Sequence, residues 1–243
     1  MDKKYKLTDI TMKFEGRTLY RIRALKNFSD VKAGDLGGWV SNENNLSQYG
    51  NCWVYNNAMC MDNSRMFDNS KMYNGSRMFR NSRMYDDSVM NGNSKMFGNS
   101  KMYDNSEMHN NSRMCDNSKM CDNSKMCDDS IMFGHSIMFG SSEMHDNSEM
   151  HDSSAMFDGS AMFDNSIMYN YSRMYDNSEM HDSSEMRGNS KMNGNSKMFG
   201  NSKMYDNSEM FGSSEMHDNS KMYGYSELRG NSILKGDEEL CED

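Results

Sequence analysis

The chain has 243 residues, no proline and a formal net charge of −9 at pH 7. Charge is unevenly spread, because residues 1–130 hold 19 basic against 16 acidic side chains, whereas residues 131–243 hold 8 against 20. No apolar run approaches the ~20 residues that a membrane helix needs, and the amino terminus does not resemble a signal peptide. The six cysteines include no CxxC pair, which is typical of a reducing compartment. We therefore predict a cytoplasmic protein with no membrane contact.

The amino-terminal part of the chain is predicted to form a cap. Residues 10–14 and 17–23 are strand-like segments on either side of Glu15 and Gly16, a pattern that indicates a β-hairpin. Residues 28–50 are interpreted as a transition into a repeat region. An open solenoid end exposes core and strand edges, so a covering element is expected there. We assign residues 1–44 to this hairpin and cap.

From residue 63 onward, a six-residue unit repeats as Asn-Ser-x-Met-aromatic-Asp, and we number its positions slots one to six from Asn63. Slot two is Ser in every copy from Ser64 to Ser232, and slot four is Met from Met66 to Met222. Slots two and four point to the same side of a strand, whereas slots six and one are turn residues. Each unit is therefore predicted to form a three-residue strand and a corner, around a methionine-rich core.

Three such units close most simply into a triangular coil that returns to the same face at every third hexad. The predicted fold is all-β, a parallel β-helix or hexapeptide-repeat β-solenoid over residues 45–236, with three hexads per coil and about ten coils. Slot-one Asn side chains would form ladders, and slot-two Ser hydroxyls would bond to one another. A two-hexad coil is the rival geometry. Residues 237–243 are predicted to be an acidic tail.

Four segments near the amino terminus have a distinctive sequence: LYRIRAL at 19–25, GDLGGW at 34–39, NLS at 45–47 and CWVY at 52–55. They are similar to the amino-terminal part of YdcK-type hexapeptide-repeat proteins of bacteria and phages, and the resemblance covers residues 5–60. It implies a left-handed β-helix, and these proteins are often described as transferases. Because that activity is an analogy at the level of the fold, no catalytic residue is carried over.

Slot three, the outward residue of each strand, carries the most position-specific information. Between residues 131 and 171 this slot holds no Lys or Arg. A contiguous apolar surface on an otherwise charged molecule predicts a contact site, and a homo-oligomer is the expected assembly. We call the candidate interface residues the apolar belt: Ile131, Phe133, Ile137, Phe139, Ala155, Phe157, Phe163 and Ile167.

Basic slot-three residues form rows beside aromatic slot-five residues in the first half of the chain. Such rows can hold a polyanion or single-stranded nucleic acid, although slot-six Asp residues would neutralise part of the charge. The candidate residues are Arg65, Arg83, Lys101 and Lys119 in one row, and Arg77, Lys95 and Arg113 in another.

The six histidines are candidates for a catalytic base or a metal ligand. Asp directly follows four of them, as an orienting partner would, but Asp is also the usual slot-six residue. At a stride of three hexads, His109, Cys127 and His145 would stack as a candidate zinc site. Two features argue against a zinc site. Lys125 lies beside the Cys127 thiol, and the candidate ligands lack partners that would orient them. Because no insertion interrupts the hexads, we predict no pocket, no catalytic residue and no cofactor.

The sequence favours a non-catalytic β-solenoid scaffold or interaction protein that self-associates through the apolar belt. Two alternatives stay open. An acyltransferase-like hexapeptide-repeat enzyme is implied by the resemblance. An acidic mimic that binds a basic or nucleic-acid-binding protein follows from residues 131–243, whose 8 basic and 20 acidic side chains give −12.

Overall fold

The computed structural model describes residues 3–242, so Met1 and Asp2 of the predicted cap and Asp243 of the predicted tail lie outside the described residues. The chain divides into two compact units, the first ending at Asp116 and the second beginning at Asn117. Both units are parallel β-solenoids. Within residues 3–242 there is no α-helix, one 3₁₀ turn spans Glu43–Asn45, and no helix is long and apolar enough to cross a membrane.

The first unit begins with a hairpin, as predicted. Its strands are β1 (Tyr5–Phe14) and β2 (Arg17–Ala24), which pair antiparallel around a turn of Glu15 and Gly16 with φ values of 48° and 76°. Strand β2 also pairs antiparallel with β3 (Leu36–Val40). Strand β3 in turn pairs parallel with the first repeats, where Val40 is the register partner of Cys60. The hairpin therefore extends one sheet of the solenoid.

Two-residue strands build the rest of the first unit, and they form three parallel sheets in the orders β3-β5-β8-β11-β14, β4-β7-β10-β13 and β6-β9-β12. Register partners are three hexads apart, as in Lys95 and Arg113. This register confirms three hexads per coil and excludes the two-hexad coil. The strands are β4 Trp53–Val54, β5 Met59–Cys60, β6 Arg65–Met66, β7 Lys71–Met72, β8 Arg77–Met78, β9 Arg83–Met84, β10 Val89–Met90, β11 Lys95–Met96, β12 Lys101–Met102, β13 Glu107–Met108 and β14 Arg113–Met114.

The second unit repeats this arrangement in three sheets, ordered β15-β18-β21-β24-β27-β30-β33, β16-β19-β22-β25-β28-β31-β34 and β17-β20-β23-β26-β29-β32-β35. Its last strand, inside the predicted acidic tail, pairs with residues 221–224. The strands are β15 Lys119–Met120, β16 Lys125–Met126, β17 Ile131–Met132, β18 Ile137–Met138, β19 Glu143–Met144, β20 Glu149–Met150, β21 Ala155–Met156, β22 Ala161–Met162, β23 Ile167–Met168, β24 Arg173–Met174, β25 Glu179–Met180, β26 Glu185–Met186, β27 Lys191–Met192, β28 Lys197–Met198, β29 Lys203–Met204, β30 Glu209–Met210, β31 Glu215–Met216, β32 Lys221–Gly224, β33 Glu227–Leu228, β34 Ile233–Leu234 and β35 Glu239–Glu242.

Most strands cover slots three and four only, one residue fewer than the predicted three. The slot-two N–H leaves the inter-coil ladder because it bonds locally to the slot-five carbonyl three residues earlier, as Ser70 does with Phe67 at 3.2 Å. The slot-two carbonyl still accepts from the neighbouring coil, as Ser82 does from Arg65 at 3.0 Å. Each corner is therefore closed by its own hydrogen bond, which shortens the strand.

The corners depend on a left-handed backbone at slot six. Every slot-six residue from Gly50 to Gly236 has a positive φ, near 60° where it is Asp or Asn. Asp, Asn and Gly are the residues that adopt this conformation at least cost. Slot-one amides then stack as predicted, with Asn51 Nδ2 donating to Asn69 Oδ1 at 2.9 Å. The turn residues thus set both the bend and the three-hexad register.

Slot four forms the interior, since each Met from Met66 to Met222 is fully buried. The predicted bonding between slot-two hydroxyls is wrong, because many of them, such as Ser94 and Ser100, are buried with no hydrogen-bond partner within residues 3–242. Some slot-two hydroxyls instead donate to the slot-five carbonyl three residues earlier, as Ser70 Oγ does to Phe67 at 2.7 Å. Serine is small, so slot two leaves room for the buried slot-four Met side chains. In the described chain, the serine hydroxyls form no continuous row of hydrogen bonds from coil to coil.

Lys4 closes the amino-terminal end of the first unit. Its side chain is buried, and Nζ donates to the carbonyl oxygens of Cys52 at 3.0 Å and of Tyr49 and Gly50 at 3.3 Å. The ammonium group also lies over the ring of Phe28, 5.1 Å from its centroid. Burial lowers the pKa of Lys4. A buried cation thus satisfies carbonyls at the start of the repeat region.

Candidate functional site

The apolar belt lies in the second unit, where its residues are spread over all three sheets. Ile137 and Ala155 are register partners and form a continuous strip. Ile131 and Ile167 belong to another sheet and are separated by Glu149, the register partner of both. The structure therefore brings part of the belt together as a strip two strands wide, with a second sheet around the corner.

Phe163 is separated from the rest of the belt because it lies on the third sheet. Its ring stacks between His145 and His181, with centroid distances of 5.2 and 4.8 Å. The ladder continues through Phe199 to His217, each step 4.9 Å. Phe163 is thus already covered on both faces by neighbouring rings.

The exposed part of the belt is divided between two neighbouring sheets of the second unit. Phe133 follows strand β17 and Phe139 follows strand β18, which belongs to a different sheet, and each ring is 46% exposed. Ala155 is only 6% exposed, so it contributes a flat patch rather than a protruding side chain. Each of the two sheets therefore presents one large aromatic side chain to solvent, and the sheet of Phe139 also carries the flat patch at Ala155.

Charged residues border the strip on both sides. Lys119 is the register partner of Ile137, and Arg173 is the register partner of Ala155. Neither cation forms an ion pair with a carboxylate in the described part of the chain. Around the corner Ile131, Glu149, Ile167 and Glu185 alternate along one sheet. Cations therefore border the strip of Ile137 and Ala155. The neighbouring sheet presents the carboxylate of Glu149, because Glu185 is buried and paired with Arg187 and Lys203.

The predicted basic rows are partly assembled within the first unit. Arg65, Arg83 and Lys101 are successive register partners in one sheet, and Lys119 belongs to the second unit. Beside them Phe67, Tyr85 and Tyr103 stack with centroid distances of 5.0 and 4.9 Å. These rings face one another along the stack, so their edges rather than their faces meet solvent.

The second basic row is similarly regular. Arg77, Lys95 and Arg113 are successive register partners, and the rings of Phe79 and Phe97 stack at 4.8 Å beside them. Phe79 is buried at 6% exposure because the hairpin covers it. This covering was not expected from the sequence.

Slot-five histidines bond to Glu rather than to the Asp that follows them. Nε2 of His145 lies 3.0 Å from Glu143 Oε2, and Nε2 of His181 lies 2.9 Å from Glu179 Oε2. His109, His151 and His217 have the same arrangement at 2.6 to 2.8 Å. The sequence contains the pattern that predicts this pairing, because all five histidines occur as Glu-Met-His. Residues two apart on a strand point to the same side, so Glu and His both lie on the outer face.

Two residues of the candidate zinc site contact each other. A hydrogen bond to Cys127, opposed by burial and assisted by Glu143, raises the pKa of His145 to about 9. His109 belongs to the first unit, where it bonds to Glu107 at 2.7 Å. Among residues 3–242, no three His, Cys, Asp or Glu side chains are grouped to hold a metal ion.

Five glutamates of the second unit are paired with a lysine one coil away. Lys191 bonds to Glu209 at 2.6 Å and Lys197 to Glu179 at 2.8 Å, the two partners of each pair lying on adjacent coils. Lys221 and Glu239 form a third such pair at 2.8 Å. These acidic groups are engaged within the molecule, which limits their use as a polyanion surface.

The continuous six-residue unit and the parallel three-hexad register define a hexapeptide-repeat β-solenoid protein. No known protein-family profile matches the chain. Over 36 residues it is 50% identical to the Uncharacterized acetyltransferase YdcK of Escherichia coli (strain K12), which confirms the predicted resemblance. The match covers 15% of this chain and 11% of that protein, so the chain spans a small part of the relative's length.

Proposed function

We propose that this protein is a non-catalytic β-solenoid scaffold that self-associates through the apolar belt, with a second copy of the same chain as its partner. The observation that carries the proposal is the exposure of Phe133 and Phe139, each 46%, which follow the successive strands β17 and β18. Large aromatic side chains bury much apolar surface when they enter an interface. Phe133 and Phe139 therefore offer a partner two anchors on neighbouring sheets, and Phe139 lies on the sheet that carries the flat strip.

The shape of the strip supports close approach of another molecule. Ile137 and Ala155 lie next to each other with no charged residue between them. Because Ala155 is short, an aromatic ring from a partner can rest on the sheet above it. Aromatic anchors seated in low, water-excluding surroundings supply most of the free energy of many interfaces.

Charge complementarity supports a second copy as the partner. Lys119 and Arg173 border the strip, whereas Glu149 lies on the neighbouring sheet. If the basic side of one copy packs on the acidic side of another, a two-fold arrangement repeats each contact twice. Such pairs at the rim favour one orientation and exclude others.

The test is the mass of the protein in solution, measured by light scattering after gel filtration. The double variant Phe133→Glu with Phe139→Glu places like charges in the proposed interface, so we expect the dimer mass of the parent protein to fall to that of a monomer. The matched control is Tyr171→Glu with Tyr225→Glu, which changes two side chains that are 59% and 65% exposed elsewhere in the second unit. A parent protein that is monomeric, or a double variant of unchanged mass, would rule the proposal out.

The methionine-rich core and the cytoplasmic location are part of the same proposal. Complete burial of the slot-four Met side chains supports the first. The second is supported by Cys241, a thiol that is exposed and forms no disulfide within residues 3–242. Fractionation of the native host tests the location, and recovery of the protein outside the cytoplasm contradicts it.

An acyltransferase-like enzyme is the second candidate, because the protein matched over 36 residues is named an acetyltransferase. Each slot-five His bonds to Glu on a regular strand, where a general base lacks a loop to form a cleft around it. Titration with acetyl coenzyme A in a calorimeter separates the candidates. Binding that is lost in His145→Gln favours the enzyme, whereas no heat of binding favours the scaffold.

A further inference from the structure

A small cleft lies in the first unit where the hairpin turn meets strands β8 and β11. Its volume is about 200 Å³, below the ~300–1,000 Å³ of sites for drug-sized ligands. It therefore suits a small chemical group. The lining residues are Glu15, Arg17, Arg77, Phe79, Arg80, Lys95 and Phe97.

The cleft carries an excess of positive charge. Its single acidic residue, Glu15, lies 3.5 Å from Arg17, which also binds Asp62 at 2.6 Å. The three other cations, Arg77, Arg80 and Lys95, form no ion pair with a carboxylate anywhere in residues 3–242. Asp62 lies close to Arg80 and offsets part of this charge. Arg77 and Lys95 still leave an excess of positive charge, which attracts an anion.

The Arg77 side chain is held by stacking on an aromatic ring, but its Nε has no hydrogen-bond partner in the described chain. Its guanidinium lies over the Phe14 ring, 4.8 Å from the centroid, and its Nε is buried with no hydrogen-bond partner in the described chain. Arginine commonly stacks on an aromatic ring while its remaining donors bind an oxyanion. The stacking fixes the plane of the guanidinium, and the unpaired Nε shows that the chain itself does not use all of the Arg77 donors.

Arg80 breaks the slot-six pattern at the edge of this cleft. Every other slot-six residue from Gly50 to Gly236 is Asp, Asn or Gly. Arg80 has the same left-handed backbone, with φ of 58°, a conformation that costs most residues about 1 kcal/mol or more. Its N–H donates to Asp62 Oδ2 at 3.1 Å. A strained residue kept at one position of a regular repeat indicates a local role for its side chain.

We propose that this hairpin cleft binds a small phosphate-bearing anion through Arg77, Arg80 and Lys95. Arginine donates two parallel hydrogen bonds to phosphate oxygens, and lysine adds a point charge. Phe79 and Phe97 form an apolar wall that limits competition from water. The site is independent of self-association, because all its residues belong to the first unit.

The test is a calorimetric titration of the full chain with inorganic pyrophosphate. Arg80→Asn removes one cation and installs a residue that the slot-six turn favours, so the fold is retained and circular dichroism should be unchanged. We expect this variant to bind about tenfold more weakly, the effect of losing one charge-assisted hydrogen bond. The matched control is Lys101→Gln, a cation of the other basic row, which should leave the affinity unchanged.

Two further outcomes decide against the proposal. If pyrophosphate gives no heat of binding, or if Lys101→Gln weakens it as much as Arg80→Asn, the cleft is not a specific phosphate site. A parallel titration with a single-stranded oligothymidylate distinguishes a free phosphate group from a nucleic acid. Binding of the oligonucleotide alone, weakened by Lys101→Gln, would assign the chemistry to the row of Arg65, Arg83 and Lys101 instead.

Discussion

Asp62 Oδ1 accepts a hydrogen bond from Arg17 Nε at 2.6 Å and so ties the hairpin turn to the first repeats. The other oxygen of the same carboxylate accepts from Arg17 Nη2 and from the Arg80 backbone N–H, both at 3.1 Å. The hydrogen bond from Arg17 is the main cause of a lowered pKa at Asp62. One carboxylate therefore connects the cap, the strained turn and the cleft.

Replacing Asp62 by Ala should loosen the hairpin. The change leaves Arg17 without its main partner, and we expect a loss of about 1–2 kcal/mol in the free energy of unfolding. Hydrogen exchange should become faster in β1 and β2 and stay unchanged in β24. Asp68→Ala is the matched control, because Asp68 has the same backbone and bonds the Asp86 N–H without an arginine partner. Equal effects of the two changes would show that the ion pair contributes nothing.

Arg80→Asn should stabilise the protein in the absence of any anion. Asn adopts the left-handed backbone at lower cost than Arg, so the free energy of unfolding should rise by about 0.5–1 kcal/mol. The reverse change, Asp86→Arg, places Arg at a slot-six position with φ of 53° and should destabilise by a similar amount. Chemical denaturation measures both. A destabilised Arg80→Asn would mean that the Arg side chain contributes more to folding than its backbone costs.

Lys4→Met should destabilise the first unit strongly. It removes the donor that serves three carbonyl oxygens while keeping an unbranched side chain of similar size, so about 2–3 kcal/mol or more should be lost. Lys6→Met, at an exposed position close by in the chain, is the control and should have little effect. Thermal unfolding of both variants gives the comparison. If Lys4→Met were as stable as the parent, the buried ammonium would be replaceable by apolar packing.

His145 should make stability depend on pH. Its pKa in the folded protein is about 9, above the ordinary value of 6.5, because of the hydrogen bond to Cys127. A raised pKa means that the stabilisation is fully present below pH 6.5 and is lost as the pH rises through 9. Unfolding free energies between pH 6 and 10 should fall more steeply for the parent than for His145→Gln.

The same site can be followed directly by NMR titration of the His145 ring proton. Cys127→Ala should lower the pKa of His145, whereas Cys115→Ala, a change in the first unit, should leave it unaltered. An unchanged titration in Cys127→Ala would show that Glu143 alone sets the pKa.

The invariant residues of the repeat were sufficient to predict the three-hexad coil. Met66 and its equivalents identify the interior, Asp68 and its equivalents identify the left-handed corner, and their spacing determines the three-hexad register. The short strands were not predicted because the competing bond, such as Ser70 N–H to Phe67, is local to a corner. The periodic pattern indicates which residues face inward but does not reveal which hydrogen bonds close a turn.

The cleft could not be predicted from the repeat, because the hairpin covers Phe79 through contacts between residues far apart in the chain. Arg80 was nevertheless visible as the one slot-six residue between Gly50 and Gly236 that is not Asp, Asn or Gly. The Glu-Met-His unit was visible too, although Asp146 directly follows His145 and is the partner that adjacency in the chain suggests. Arg80 replaces a residue that the turn requires. The Glu and His of Glu-Met-His occupy slots that the architecture leaves variable.

The three-hexad register also defines how such a chain can change length. Removing three hexads between Glu143 and Glu215 would join strands of the same sheet, and each remaining side chain would keep its face. Removing one hexad would rotate every later residue onto the next sheet and separate His145 from the ladder that now contains His181 and His217. The Glu-Met-His units at 143, 179 and 215 recur every six hexads, a whole number of coils. Gene duplication in steps of one coil would therefore preserve the side chains presented on every face. A slip of one hexad would change the side chains on all three faces.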